Sequence, residues 1–395
     1  MMDLRMAASC VLCAGLSTSA LACDSQGILG VVPASSQSDA AGPAVSERCP
    51  GPGWCELSGT RLIDACPLPS PGGIEGCQGV LSYSGAVADT SLQRLLVWGG
   101  GTTNYWGNEV YALDLMSASL RRLTDPSALD TRVIEALSEE YPDGMPRARS
   151  SFNGLVYVAA QNRLLAFGGD RAVLDNGVSQ PSNAVWALGL SALEWTRLIP
   201  AGALDPSYVM ITDIDPRTQR VYVVSGQKLY AYAYESGTVT LLRDFEQFPG
   251  EGLDYHMVAV VDSKRQRLFF AGGDANTGAD TPGGLKSIDL RAGTAYALED
   301  WTEDARRAGC APLIEANNPG FVYDSTRDRL VGWAGGDDVF VLDADARTCT
   351  VLHYAGGPTS HPTGTYGRFR YFPKLDVFAV VSDAHRNAFV LRLPP

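Results

Sequence analysis

The sequence predicts an all-β chain closed into a six-bladed β-propeller, on three observations: a motif that recurs six times, a fixed spacing inside each copy, and a last copy without its final strand. The first copy, RLLVWGGGTTNYWGNEVYALDL over residues 94–115, holds an apolar run after Arg94, a run of glycines, a polar loop and a second apolar run. Later copies read RLLAFGG from Arg163, RVYVVSG from Arg220, RLFFAGG from Arg267, RLVGWAGG from Arg329 and a degenerate DVFAVVS from Asp376. Short runs of β-branched and aromatic residues bounded by turn signals read as strands. Four of them per repeat of about 50 residues is the pattern of a propeller blade.

The second half of each copy keeps register. An aromatic is followed nine positions later by a bulky or apolar residue that opens the next strand, as in Trp186 and Trp195, Tyr111 and Leu120, Tyr230 and Val239, and Phe340 and Cys349. Lys286 and Ala295 keep the spacing with the aromatics lost. The sixth copy runs through Phe389 and the sequence ends at Pro395, so no residue stands nine positions on. GWCEL around Trp54 is similar to EWTRL around Trp195. A strand over residues 54–64 is therefore expected to supply the outer strand of the last blade and close the ring, removing a sheet edge open to aggregation.

A glycine pair, then an aromatic, then a tryptophan resembles the kelch-repeat family, over residues 54–395. The segments GNEVYALDL (107–115) and YGRFRYFP (366–373) extend the resemblance to secreted bacterial kelch-like proteins with a galactose-oxidase-like propeller. It implies a kelch-like fold and no particular activity.

Ahead of the repeats, residues 1–22 resemble an export signal, with Arg5, an apolar stretch and Ala20-Leu21-Ala22 at a cleavage point. Cys23 follows directly, as in a bacterial lipoprotein. With Cys10 and Cys13 removed seven of the nine cysteines remain, and a lipid on Cys23 leaves an even six for disulfides, which favours acylation over plain secretion with one unpaired thiol. Residues 23–48 read as a flexible tether rich in Ser, Ala, Gly and Pro, and residues 49–395 as the propeller. Cys49, Cys55, Cys66 and Cys77 allow three pairings; Cys310 and Cys349 could form a third bridge or stay separate thiols. The 42 glycines and 23 prolines suit many turns, with short helical patches expected at 128–140 and 301–308. A net charge of −13 argues against nucleic acid or an anionic membrane as partner, so the membrane enters only through a lipid on Cys23.

Strand direction alternates within a blade, so the short turns AAQNR, DPRTQR, DSKRQR and DSTRDR fall on one face and the long loops on the other. Long loops are where function concentrates. At the entrance of the innermost strands the repeat register places Tyr83, Arg149, Tyr208, His256, Asn318 and Arg368, with Tyr105, Trp106 and Asn108 reaching in from the first long loop. Aromatics stack on sugar faces and Arg grips carboxylates, so these residues suit a carbohydrate or small anion; the alternative is a polar plug that satisfies itself. The alternation Asp274, Asn276, Gly278, Asp280 resembles half of a calcium loop but lacks the later bidentate Glu, so it reads as a turn. Copper oxidase chemistry needs two histidines with tyrosines, and only His256, His353, His361 and His385 exist. No metal or cofactor is expected. The sequence points to an exported monomer that binds a carbohydrate or protein at the cell surface, with a sugar mutarotase, epimerase or polysaccharide lyase using His256 as the alternative.

Overall fold

The computed structural model describes residues 45–101, 103–129, 138–171, 180–273 and 283–394. The expected signal, Cys23, residues 23–44 of the tether, the calcium-like loop and most of the 128–140 patch lie outside these residues. Among the described residues no helix is long and apolar enough to cross a membrane.

The first strand is β1 (Gly53–Glu56). Blade one is β2 (Gly85–Asp89), β3 (Arg94–Trp98), β4 (Tyr111–Asp114) and β5 (Ser119–Arg122). Blade two opens on a split inner strand, β6 (Arg149–Ser150) and β7 (Leu155–Val158), then β8 (Arg163–Arg171), β9 (Pro181–Gly189) and β10 (Glu194–Leu198). Blade three is β11 (Met210–Asp215), β12 (Arg220–Ser225), β13 (Lys228–Ala233) and β14 (Thr238–Asp244). Blade four is β15 (Met257–Asp262), β16 (Arg267–Gly272), β17 (Gly284–Asp289) and β18 (Leu298–Asp300). Blade five is β19 (Gly320–Asp324), β20 (Arg329–Trp333), β21 (Asp338–Asp343) and β22 (Thr348–His353). Blade six is β23 (Phe369–Phe372), β24 (Val377–Val380) and β25 (Phe389–Arg392), with β1 as its outer strand. The inner strands touch in the order β2, β7, β11, β15, β19, β23 and back to β2, which makes the ring.

Local chemistry sets the turns between first and second strands. The last residue of the inner strand is a buried aspartate in four blades, Asp89, Asp215, Asp262 and Asp324. Each carboxylate accepts the backbone N–H two residues on, from Ser91, Arg217, Lys264 and Thr326 at 3.0–3.1 Å. Such side-chain caps fix the turn locally, and the next blade adds to it, as where Gln266 Nε2 donates to Asp215 Oδ2 at 3.0 Å. At the other end of the second strand the glycines are required by crowding. A Cβ on Gly99 would lie 1.9 Å from Ser84 Oγ, and at Gly272, where φ is +110°, it would lie 2.5 Å from Pro319 Cδ of the next blade.

Ring closure follows the expected register. Trp54 pairs with Leu391 and Glu56 with Phe389. The likeness of GWCEL to EWTRL is structural: Trp195 packs on Trp98 of the preceding blade at 4.9 Å, and Trp54 packs on Trp333 of its preceding blade at 5.5 Å. The strand is shorter than the 54–64 expected. Beyond Glu56 the chain turns, with Thr60 N–H on Asn387 Oδ1, Ala388 N–H on Thr60 Oγ1 and Gly59 at φ +79°. Residues 45–48, expected in the tether, form a single helical turn whose Val45 is buried against blade one and donates its N–H to Leu115 O at 3.1 Å. The expected helix after Trp301 is present as Thr302–Arg307, followed by a second, Ala311–Ile314.

Three disulfides join Cys49 to Cys55, Cys66 to Cys77 and Cys310 to Cys349. The first two flank the closing strand; the third ties a buried inter-blade helix to the outer strand of blade five. Three bridges suit an oxidising environment. Because Cys310 and Cys349 enclose 39 residues, the double Cys310→Ser, Cys349→Ser variant is expected to lose about 4 kcal/mol of unfolding free energy in guanidinium titrations. An unchanged midpoint would show that this link constrains nothing.

Candidate functional site

Turns between strands one and two are four residues long on one face, and the extended loops lie on the other, the face on which the sequence places the site. Four non-glycine residues there hold left-handed backbone just before an inner strand: Tyr83, Phe152, Asn318 and Tyr366, with φ of 46–53°. Other positive-φ residues, such as Gln93, Gln219 and Gln266, sit in the tight turns. Strain of this kind persists only when packing over-determines it. Here the packing is aromatic: Phe152 and Tyr366 meet edge to face at 5.5 Å, with Tyr83 at 5.9 Å from Phe152 and 6.5 Å from Tyr366. Burial drives the Tyr366 hydroxyl far above its ordinary pKa, reinforced by the Tyr83 and Tyr255 hydroxyls. Residues from blades one, two, four and six thus converge around Tyr366.

The two arginines expected to grip an anion have other work. Arg368 is fully buried and donates Nε to Val381 O at 3.0 Å, one terminal nitrogen to Leu81 O at 2.7 Å and Ser84 O, and the other to Gly364 O at 2.6 Å. It ties blade six to the entry of blade one. Arg149 is equally buried, with its donors on the carbonyls of Arg147, Gly168 and Glu139 and its charge 3.4 Å from Glu139 Oε2. Burial pulls both guanidinium pKa values below the ordinary value. These two are the self-satisfying plug, since an Arg whose forks are filled by carbonyls has none left for a ligand.

The first long loop is built in as well. Tyr105 is buried and donates to Glu109 Oε1, which also accepts from Tyr111 at 2.5 Å. Burial raises the pKa of the Glu109 carboxyl. Asn108 is held by Ser127 at 2.8 Å and Pro146 O at 2.9 Å. Trp106 is half-buried, with its ring against Gly72, where a Cβ would lie 2.6 Å from the indole.

What remains accessible is a cluster around blades three and four. Tyr208 and Tyr255 are 47% and 44% exposed and meet at 6.4 Å with their rings at 75°. They wall a cleft of about 340 Å³ together with Pro206, Val209, Gln227 and Leu253. Tyr255 covers the His256 ring at 3.8 Å, and His256 Nδ1 lies 2.8 Å from Asp254 Oδ1, which also accepts the His256 backbone N–H at 2.7 Å. A carboxylate accepts, so Nδ1 is the donor in this pair and the ring is fixed through it. Asn318 contributes backbone only, donating its N–H to His256 O at 2.8 Å. Of the residues singled out in the sequence, Tyr208, His256 and Asn318 are brought together here. Asp254 and Tyr255 were missed although they adjoin His256, because the repeat register selects one residue per blade and passes over its neighbours. Among the described residues no three of His, Cys, Asp or Glu gather as a metal set.

Fold and site together define a six-bladed β-propeller with an aromatic cleft on its long-loop face. No family model matches the chain, and no curated protein matches it in sequence. Among solved structures it is similar to a gluconolactonase from Xanthomonas campestris, with a TM-score of 0.50 and 15% identity over 90% of this chain and 98% of that one. At that identity the likeness is one of fold.

His361, at the edge of this face, is held by Thr363 at 2.9 Å, and burial, followed by the Arg368 charge, depresses its pKa from 6.5 to about 4. The folded state therefore resists a proton that the unfolded chain accepts. This ring's contribution is level above the unfolded value and falls as pH drops from about 6.5 towards 4. His361→Gln should remove a pH-dependent loss on the order of 2 kcal/mol across that window, read as the difference between wild-type and variant unfolding curves. Parallel curves would exclude the ring as its source.

Proposed function

We propose that this propeller is a binding module for carbohydrate, with the cleft between Tyr208 and Tyr255 as its site. The observation that carries the reading is the pair of exposed tyrosine rings over an open cleft, in a molecule whose other large aromatics are mostly buried. Tyrosine supplies a flat apolar face for the C–H side of a sugar and a hydroxyl at its rim, at little conformational cost. Gln227 adds an amide to the wall, though its Nε2 and Oε1 already bond to Leu253, so specificity would have to come from the tyrosine hydroxyls and loop backbone. The kelch-like repeat, export by residues 1–22, a lipid on Cys23 and action as a monomer at the cell surface belong to the same proposal. The disulfides are consistent with such an oxidising setting.

A catalytic reading is favoured by one observation, the Asp254–His256 pair beside the cleft. A histidine whose Nδ1 donates to a carboxylate has Nε2 left to serve as a general base, as sugar epimerisation or uronate elimination needs, and here that ring is buried behind Tyr255, so Tyr255 would have to move to admit a sugar. Glycan-array screening of the mature protein, followed by calorimetry on the best glycan, separates the two. Tyr208→Ala and Tyr255→Ala should each weaken binding about tenfold. His256→Gln should leave affinity within about twofold, with no sugar converted by the wild type. Conversion that disappears in His256→Gln would replace the binding reading with the enzymatic one, and glycan affinity unmoved by either tyrosine variant would remove the cleft as the site.

A further inference from the structure

The central channel opens on the face opposite the tyrosine cleft. A cavity of about 400 Å³ enters among the short turns, past Thr90, Ala160, Pro216, Gln219, Ser263 and Ser325, and runs down between the inner strands. Its volume falls within the range of small-molecule sites. The walls are apolar, with Val87, Leu155, Ile214, Val260 and Val322 among them. Four tyrosines line the space, Tyr157, Tyr234, Tyr323 and Tyr371; the hydroxyl of Tyr157 bonds to Ser91 of blade one, that of Tyr323 to Asp328 of its own blade, and that of Tyr371 to Thr326 of blade five and Asp376 of its own.

Two charged side chains from opposite blades stand in this cavity, Asp213 on β11 and Arg370 on β23. Asp213 Oδ2 accepts the Val261 N–H at 2.6 Å. Arg370 donates Nε to Ala86 O at 3.1 Å, and its two terminal nitrogens make no hydrogen bond among the described residues. Each side chain feels the other's charge across the channel, yet the two form no ion pair. Burial holds the Asp213 carboxyl above and the Arg370 guanidinium below their usual ranges, and both residues are half-buried along the channel. An open guanidinium fork on a channel wall is available to a carboxylate that enters.

We propose that the channel is a second binding site, one for a small zwitterion of the α-amino-acid class with an apolar side chain. Its carboxylate would take the free fork of Arg370, its ammonium would face Asp213, and its side chain would lie on the Val and Leu walls. One cation and one anion set apart on an apolar surface match a ligand that carries both charges and a hydrocarbon portion. A simple carboxylate would leave Asp213 unanswered and a simple amine would leave Arg370 so. This site does not depend on the carbohydrate reading of the opposite face.

The test is calorimetry on the mature protein with L-leucine, 4-methylpentanoate, which lacks the ammonium, and 3-methylbutylamine, which lacks the carboxylate. L-Leucine should bind with both analogues weaker by about tenfold or more. Arg370→Met and Asp213→Asn should each weaken L-leucine by about tenfold, in proteins whose circular dichroism and melting confirm folding. Ser325→Trp, at the exposed rim and clear of both charges, should weaken it as well by narrowing the entry. No heat from L-leucine up to about 10 mM with the wild type, either analogue binding as tightly as leucine, or undiminished binding in folded Arg370→Met would each overturn the proposal; the first two need no variant to fold.

Discussion

The pairing of β1 with β25 is the contact on which the rest of this structure depends. A propeller blade shares its faces with two neighbours, so a ring with one incomplete blade exposes both a strand edge and an apolar flank. Four residues, Gly53–Glu56, complete the last sheet with chain from the opposite end of the sequence. Around them the seam is reinforced by different kinds of bond: Trp54 between Trp333 and Phe369, the Thr60–Asn387–Ala388 hydrogen bonds, the Cys49–Cys55 and Cys66–Cys77 bridges, and the four carbonyls collected by Arg368. The tryptophan contacts, the Thr60–Asn387–Ala388 bonds and the Arg368 bonds to Leu81 and Ser84 join the N-terminal segment to the last blades and hold the inner strands in a closed circle, while the two bridges brace that segment internally.

Closure also separates the two faces. On the long-loop face the strained residues Tyr83, Phe152 and Tyr366 pack around the end of the channel, which leaves the tyrosine cleft to one side, over blades three and four. On the short-turn face the turns are held by their own aspartates and do not grow across the axis, so the channel stays open there. The same circle of strands thus carries an aromatic surface cleft on one face and a channel with two charged side chains open to the other.

Much of the architecture was legible because it is periodic. The glycine ends of the second strands, the aromatics nine residues before the outer strands and the absent final strand all state a count and a register, and the likeness of Trp54 to Trp195 named the strand that fills the gap. The site was harder to read. Repeat register says which residues enter the inner strands but not whether their polar atoms face water or a carbonyl, so Arg149 and Arg368 looked the same in sequence as Tyr208. Tyr255 and Asp254 escaped for the converse reason, since a loop residue outside the register is placed only by packing. Arg370, two residues past Arg368 and inside the strand, carried no signal, because its meaning depends on Asp213 in a blade on the other side of the ring.

Amide hydrogen exchange on the seam tests ring closure most directly. The N–H groups of residues 53–56 that bond to β25 and those of 389–392 that bond to β1 should be protected in the wild type and should lose protection together in Trp54→Ala, whereas the N–H groups of 389–392 that bond to β24 keep theirs. If the N–H groups of 389–392 that face β1 stay protected while 53–56 exchange freely, the last blade does not need the N-terminal strand and the account is contradicted.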